Sequence, residues 1–297
     1  MASVDRAAGT ALAGGQDGAG SAPRSGGDQG PVAAPALGGT ATGPWPTPWP
    51  TWAHSQLTDA VRLARTTGDR SSVAALLYRE WFNPAVGPVS RLRTRRPLAG
   101  SYRAAHAGSG RRVRADGVSV VQRHDVIGAD GWWRTWGEAW TPPRSRPGSV
   151  RLLLTPRVDR IEEFVTTVTS RLVGASVPWS LACAAAPRRL TRIGGAVLDV
   201  PDLTAVPPRL IEDIAALVHP VTPPLCLPLT AGVGLAEYPT NGMTFGEHRC
   251  HLIALGLRHP GADRDPLTVI ASVFAAHGLD PSAPHRSSGR DAPTSHR

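Results

Sequence analysis

The chain contains no lysine, because all 32 basic residues among its 297 are arginines. Arginine stays protonated at any physiological pH. Because the chain has no lysine, a lysine general base is excluded. Arginine, alanine, glycine and proline are all favoured by a GC-rich genome, but that bias does not explain the net charge of +9. Such a surplus raises encounter rates with nucleic acids, membrane surfaces and phosphopeptides, although a solvated basic surface is an equally ordinary interpretation.

Cysteines are few, and long apolar runs are absent. Cys183, Cys226 and Cys250 are odd in number and form no CxxC pair, so a disulfide framework is not expected. The sequence has no run of about 18 apolar residues, so no transmembrane helix is expected. The first residues lack a basic segment followed by an apolar one, so we expect no secretory signal and a cytoplasmic location, with no membrane partner.

Composition divides the chain into three parts. Residues 1–54 are rich in Gly, Ala, Pro and Ser, and residues 279–297 are polar, so both are predicted to be disordered. Residues 55–278 are predicted to form the folded domain. A Pro-rich frame in the first part holds Trp45, Trp49 and Trp52, and it could dock on a partner or on its own domain, with the second option favoured.

Hydrophobic periodicity predicts an α+β fold, in which helices pack on a single mixed sheet. The dipeptide Asp130-Gly131 is typical of a hairpin turn and lies within a stretch rich in Val and Trp. Asp265, Pro266 and Gly278 predict the two ends of the last helix. The pattern predicts helices within 55–82, after Asp159, after Pro208, near 245–258 and near 266–277, and strands within 117–140, 150–155, 177–183, 196–200 and 225–236.

One segment, residues 241–251, combines groups suited to chemistry. Thr244 and Glu247 have the spacing of a capping box, which predicts a helix that begins at Phe245. Gly246 in the first turn would let an anion approach the backbone amides, with Arg249 to neutralise it. Thr244, Gly246 and Arg249 are therefore candidate phosphate-binding residues. The ordinary alternative is a capped helix whose charged residues face water.

Two other interpretations of this segment are weaker. His248, Cys250 and His251 could ligate a metal with Cys226 or His219, but adjacent residues on a helix point in different directions. Cys250 could be a nucleophile, but its position on an apolar helix favours a buried structural thiol. We expect neither a metal nor a cofactor.

The segment 245–250 with the apolar helix that follows it resembles the C-terminal motif of the HopA family of type III effectors, which has bacterial relatives in lanthipeptide and thioamitide biosynthesis. Other pieces resemble that family in the same order, so the resemblance covers roughly residues 55–278. These pieces are Leu76–Phe82, Pro178–Leu181, Arg192, Ala196–Leu198, Gly232–Glu237 and Pro239.

The resemblance implies a phospho-Ser/Thr lyase-like component of ribosomal peptide modification. Its substrate would be a phosphorylated precursor peptide, and its partners would be kinase-like and cyclase-like proteins. Elimination needs a cradle for the leaving phosphate, a base for the α-proton and an acid for the leaving oxygen. Arg192 and Arg249 suit the cradle, and His248 suits the acid or a local donor to the phosphate.

The chain departs from the family pattern where a base is needed. Ala182 stands at the position expected to hold Lys, Gly194 at an acidic position, and Tyr238 at the Asp of a Glu-Asp-Pro sequence. His106 or His248, or else His251, would have to act as the base.

The departures leave two alternatives to a lyase. One is a non-catalytic scaffold of the same fold that supports the kinase-like and cyclase-like partners. The other is a basic module for nucleic acid, which is disfavoured because the arginine cluster at 111–114 has no interleaved aromatic residues.

Overall fold

The structure is a computed structural model that describes residues 49–67, 73–86, 98–107, 111–115, 118–122, 125–137, 140, 149–173, 177–207, 209–239, 242–263 and 265–286. The disorder predicted for residues 1–48 and 287–297 concerns parts of the chain outside these ranges.

One twisted sheet organises the domain. In the described residues its strands follow the order β3-β4-β6-β7-β5-β9-β8, and every neighbouring pair is antiparallel. A separate hairpin joins β1 to β2. The strands are β1 (Arg111–Ala115), β2 (Val118–Gln122), β3 (Asp125–Ile127), β4 (Trp132–Trp136), β5 (Val150–Leu154), β6 (Ser180–Ala184), β7 (Ala196–Val200), β8 (Leu227–Thr230) and β9 (Val233–Glu237).

Helices cover both faces of the sheet. On one face, Leu152, Leu181 and Leu198 pack with Phe164 and Val168 in one apolar core. On the other face, a second apolar core forms under the N-terminal and C-terminal helices. The helices are α1 (Thr51–Arg65), α2 (Val73–Leu76), a π-helical turn (Leu77–Phe82), α3 (Ala99–Ala107), α4 (Ile161–Val173), α5 (Pro187–Leu190), α6 (Leu210–Ala215), α7 (Phe245–Arg258) and α8 (Pro266–Ala276).

The predicted α+β class is confirmed. The sheet was expected to be mixed, but all neighbouring strands of the described sheet are antiparallel. The hairpin turn is also confirmed: Asp130 accepts a hydrogen bond from the amide of Trp132, and Gly131 has a φ of 76°. Asp265 caps α8 by accepting from the amide of Thr268 at 3.1 Å. The helix predicted after Asp159 is α4, and Asp159 itself lies in a 3-10 turn and pairs with Arg157.

The folded domain extends beyond both predicted ends. Helix α1 begins at Thr51, and Trp49 is buried, with its Nε1 donating to the carbonyl oxygen of Leu267 at 3.2 Å. Trp49 therefore docks on its own domain. At the other end, the carbonyl oxygen of His285 accepts from the amide of Glu237 at 2.8 Å. The described elements therefore pass the boundaries predicted at 54 and 279, because Trp49 and His285 make contacts with distant residues that composition does not reveal.

No helix in the described part of the chain is long and apolar enough to cross a membrane.

Candidate functional site: an arginine-rich cavity on the sheet

A cavity of about 330 Å³ lies on the sheet face that is covered by α7 and the π-helical turn. Its size suits a small ligand or part of a peptide. Its described lining residues are Tyr78, Phe82, Asn83, Asp130, Trp132, Arg134, Trp136, Trp140, Arg151, Leu153, Ser180, Ala182, Arg189, Arg192, Ile193, Gly194, Val197, Asp199, Tyr238, Thr244, Phe245 and Gly246.

The floor of the cavity follows from the period-two alternation of strands. Alternate residues of β4 point into the cavity, and the same holds for β6, β7 and β5. Two rows of register partners result, running across the four strands. They are Trp136–Ser180–Asp199–Arg151 and Arg134–Ala182–Val197–Leu153.

The roof of the cavity is a close contact between two helical segments. A Cβ atom on Gly246 would lie 2.2 Å from Cε1 of Phe82, so only glycine fits here. The Phe82 and Phe245 rings lie 6.0 Å apart. Gly246 thus serves the packing of α7 against the π-helical turn. Its role as a phosphate contact stays a prediction, although it does line the cavity.

Two arginines of the floor are neutralised by carboxylates. Arg151 binds Asp199 through two hydrogen bonds, of 2.7 and 3.0 Å, and both side chains are mostly buried. Arg134 binds the carboxylate of Asp130 in the same two-point way. The hydrogen bonds from Arg134 hold the pKa of Asp130 below its usual range, so this carboxylate stays charged at neutral pH.

Two further arginines contact carbonyl oxygens instead. Arg189 donates to the carbonyl oxygen of Asp130, and its guanidinium lies 5.6 Å from the Trp132 ring centroid. Arg192 donates to the carbonyl oxygen of Asn83 at 2.7 Å. Within the described ranges, neither forms an ion pair with a carboxylate. The four lining arginines therefore exceed the two lining aspartates, and the excess positive charge lies on Arg189 and Arg192.

Arg249 does not join this cavity. It is fully buried and donates from Nε to the carbonyl oxygen of Pro284 at 2.8 Å, and from Nη2 to that of Arg286 at 3.0 Å. Its guanidinium also lies 4.6 Å from the Phe245 ring centroid. Burial lowers the pKa of Arg249 to about 10, so it stays charged. The predicted pairing of Arg249 with Arg192 is not observed, because Arg249 holds the C-terminal segment.

His248 is also absent from the cavity lining. Its Nδ1 lies 2.8 Å from Nη1 of Arg249. Since the guanidinium can only donate, Nδ1 accepts and the imidazole is neutral. Burial, with the neighbouring charge of Arg249, lowers the pKa of His248 to about 4. The geometry does not bring this imidazole to the cavity as an acid or a base.

His106 lies on the opposite face of the sheet. Its Nε2 contacts Oγ1 of Thr135 at 3.0 Å, and Thr135 points away from the cavity because it alternates with Arg134 and Trp136 along β4. Only 3% of His106 is exposed, and its ring packs edge-on against Trp133. His106 is therefore a buried core residue, and its predicted catalytic role does not fit this position.

The predicted capping box at α7 is present. Oγ1 of Thr244 accepts from the amide of Glu247 at 3.3 Å, and the carboxylate of Glu247 accepts from the amide of Thr244 at 3.0 Å. The backbone amides of Phe245 and Gly246 take no part in this capping box. Because the Glu247 carboxylate already lies at this helix start, it opposes the attraction of an anion, and the arginines supply the main positive charge.

The three cysteines are buried and free. Burial raises the pKa of the Cys250 thiol far above its usual range, which makes it a poor nucleophile. Over the described residues, no group of three or more His, Cys, Asp or Glu side chains has the arrangement of a metal site.

The three positions that depart from the family pattern converge on the cavity. Ala182, Gly194 and Tyr238 all line it, together with Arg192. Sequence reasoning missed several lining residues: Trp132, Arg134, Trp136, Arg151, Arg189 and Asp199. The alternation in Trp132–Trp136 could have placed the first three on one face, whereas the others needed the strand order.

The comparisons with known proteins agree with this fold. A model of the HopA1 effector protein family matches residues 138–286. Two solved structures of effector proteins from Pseudomonas syringae, pathovars tomato DC3000 and syringae 61, align with TM-scores of 0.56 and 0.54. Their identities are 15% and 13%, and each alignment covers 80% of this chain and 98% of the other. No curated protein matches the chain.

Proposed function

The chain belongs to the HopA1 effector protein family, and we propose that it uses the cavity to bind a peptide phosphorylated on Ser or Thr without eliminating the phosphate. The observation that carries this proposal is the pair Arg189 and Arg192, whose positive charges line the cavity without a carboxylate partner among the described residues. Guanidinium groups form strong, directional hydrogen bonds with phosphate oxygens.

Besides positive charge, the cavity has hydrogen-bond donors near the start of α7. Arg192 donates to the carbonyl oxygen of Asn83, and Asn83 follows Phe82 in the chain. The Phe82 ring packs against Gly246 at the start of α7. The other N–H groups of Arg192 therefore lie near this helix start. Thr244 and Gly246 also line this part of the cavity. A phosphate there would meet the Arg192 guanidinium and the uncapped amides of the first helical turn, and Arg189 lines the same cavity.

Elimination requires a base, and the described lining provides none suited to neutral pH. It contains neither histidine nor lysine. Asp199 is held by Arg151, and burial raises the pKa of Tyr78, which keeps its phenol protonated. A positioned base contributes about 100- to 10,000-fold in rate. We therefore favour the scaffold alternative, in which a kinase-like partner supplies the phosphopeptide and a cyclase-like partner acts on it.

A binding experiment tests this proposal. The probe is a fluorescently labelled peptide library that is degenerate around one central phosphothreonine, and its unphosphorylated twin is measured alongside. We expect the phosphorylated library to bind more tightly. Arg189→Gln should weaken that binding about tenfold or more, because hydrogen bonds to charged groups contribute about 1.5–3 kcal/mol.

The matched control is Arg62→Gln, which removes an arginine that is 74% exposed on α1. Its binding should equal that of the unmodified protein. Equal affinity for the two libraries, or equal losses in the two variants, would overturn the proposal.

A further inference from the structure

Small residues lie along β6 in the cavity floor, and the strip that they form is here called the groove. Ser180 and Ala182 are small, and they lie in register beside Trp136 and Arg134 of β4. The large side chains of Trp136 and Arg134 thus form one wall beside the small residues of β6. The floor extends along the strand direction, which suits an extended chain better than a compact ligand.

One end of this groove carries uncompensated charge. Trp132 is the register partner of Ala184, the last residue of β6. Arg189 lies over the Trp132 ring, and Arg192 follows shortly before β7 begins. Both guanidiniums therefore belong to the end of the groove where β6 ends.

The other end is neutral and aromatic. Ser180 begins β6 and lies in register between Trp136 and Asp199. Asp199 cancels the charge of Arg151, and the Tyr238 ring covers that guanidinium at 4.5 Å. A phosphate gains little here, whereas a large apolar side chain would contact aromatic rings near a small floor residue.

We propose that the groove reads an extended peptide at two points: a phosphate at the Arg189 and Arg192 end, and a large apolar side chain about four residues away at the Trp136 end. The spacing follows from β4 itself, since Trp132 and Trp136 mark the two ends and are four residues apart. At about 3.3 Å per residue, this is about 13 Å. The inference rests on the proposed function and adds the sequence preference of the peptide.

The test uses phosphothreonine peptides in an alanine and glutamine background. Each carries one phenylalanine, placed from two to six positions away on either side, and affinity is measured by fluorescence anisotropy with the full chain. We expect one side to show a maximum near four positions, with about tenfold tighter binding than the peptide without phenylalanine. Trp136→Ala should abolish this maximum, so that affinity no longer depends on where phenylalanine stands. Trp136→Phe should keep the maximum.

The outcomes separate the two proposals. If phosphopeptides bind but affinity does not depend on where phenylalanine stands, the two-point inference is wrong and the proposed function survives. If no phosphopeptide binds more tightly than its unphosphorylated twin, the proposed function itself fails. A nucleoside monophosphate that binds more tightly than every peptide would also overturn the two-point inference, because it cannot span both ends.

Discussion

Arg249 and Pro284 are joined by a 2.8 Å hydrogen bond from the buried guanidinium Nε to the backbone carbonyl oxygen. The bond ties α7 to the segment 284–286, and the same guanidinium stacks on Phe245, which lines the cavity. The match to the family model ends at residue 286, so it includes this segment. Arg249 thus supports the wall of the cavity from behind and is not among its described lining residues.

The first prediction concerns the stability that Arg249 provides. Arg249→Lys cannot reach the carbonyl oxygens of both Pro284 and Arg286, so buried polar groups lose their partners. We expect the free energy of unfolding to fall by about 2 kcal/mol or more, measured by urea denaturation. Arg62→Lys, at an exposed position, should change it by less than about 0.5 kcal/mol.

A truncation completes this test. Removal of residues 280–297 should destabilise the protein, and Arg249→Lys should add little in the shortened chain because its partners are gone. Removal of 287–297 alone is the control for chain shortening. Additive effects of the substitution and the longer truncation would show that Arg249 acts independently of the segment.

The second prediction concerns the cap of α7. Thr244→Ala removes the hydroxyl that accepts from the amide of Glu247, and it should lower the free energy of unfolding by about 1 kcal/mol. Thr244→Ser keeps the hydroxyl and should lose less. An unchanged melting temperature for Thr244→Ala would contradict a stabilising role of this capping box.

The third prediction concerns acid. Burial, with nearby arginines, lowers the pKa of both His248 and His285 to about 4, against about 6.5 in an unfolded chain. Above pH 6.5 both states are neutral, and stability does not change through these groups. Between pH 6.5 and 4 the unfolded chain binds protons that the folded chain excludes, so stability falls as the pH falls.

His285 allows a specific test of this acid effect. Its two ring nitrogens are buried without hydrogen-bond partners in the described structure, so His285→Phe removes the titrating group without breaking a bond. The variant should lose less stability between pH 6.5 and 4.5 than the unmodified protein does. His277→Gln, at an exposed position, is the control. If His285→Phe and the unmodified protein have parallel pH profiles, His285 does not contribute.

Local sequence predicted local structure well in this protein. The Thr244 and Glu247 spacing, the Asp130-Gly131 turn and the Asp265 cap all rest on contacts within a few residues, and all three are observed. The α+β class followed from periodicity in the same way. Trp49 and His285 were assigned to tails because their contacts are with distant residues that composition does not reveal.

The site was harder to predict because it depends on strand order. Arg192 and Arg249 were both predicted to bind phosphate, and of the two only Arg192 is among the described lining residues. Both are arginines near a helix or turn, and only the fold shows that one faces the cavity while the other meets Pro284. The position of His106 was hidden for a similar reason, since one step along β4 separates Arg134 in the cavity from Thr135, which contacts His106 on the other face.

We propose that the cavity holds a phosphorylated peptide and leaves its phosphate in place. The most direct measurement is mass spectrometry of a phosphothreonine peptide after incubation with saturating protein, where saturation is established by anisotropy in the same buffer. We predict that the peptide bound to the unmodified protein keeps its full mass over hours. The Arg189→Gln variant should bind the peptide more weakly and should also leave its mass unchanged. Rapid loss of phosphoric acid from the bound peptide would contradict binding without elimination. It would also require a base that the described lining does not contain.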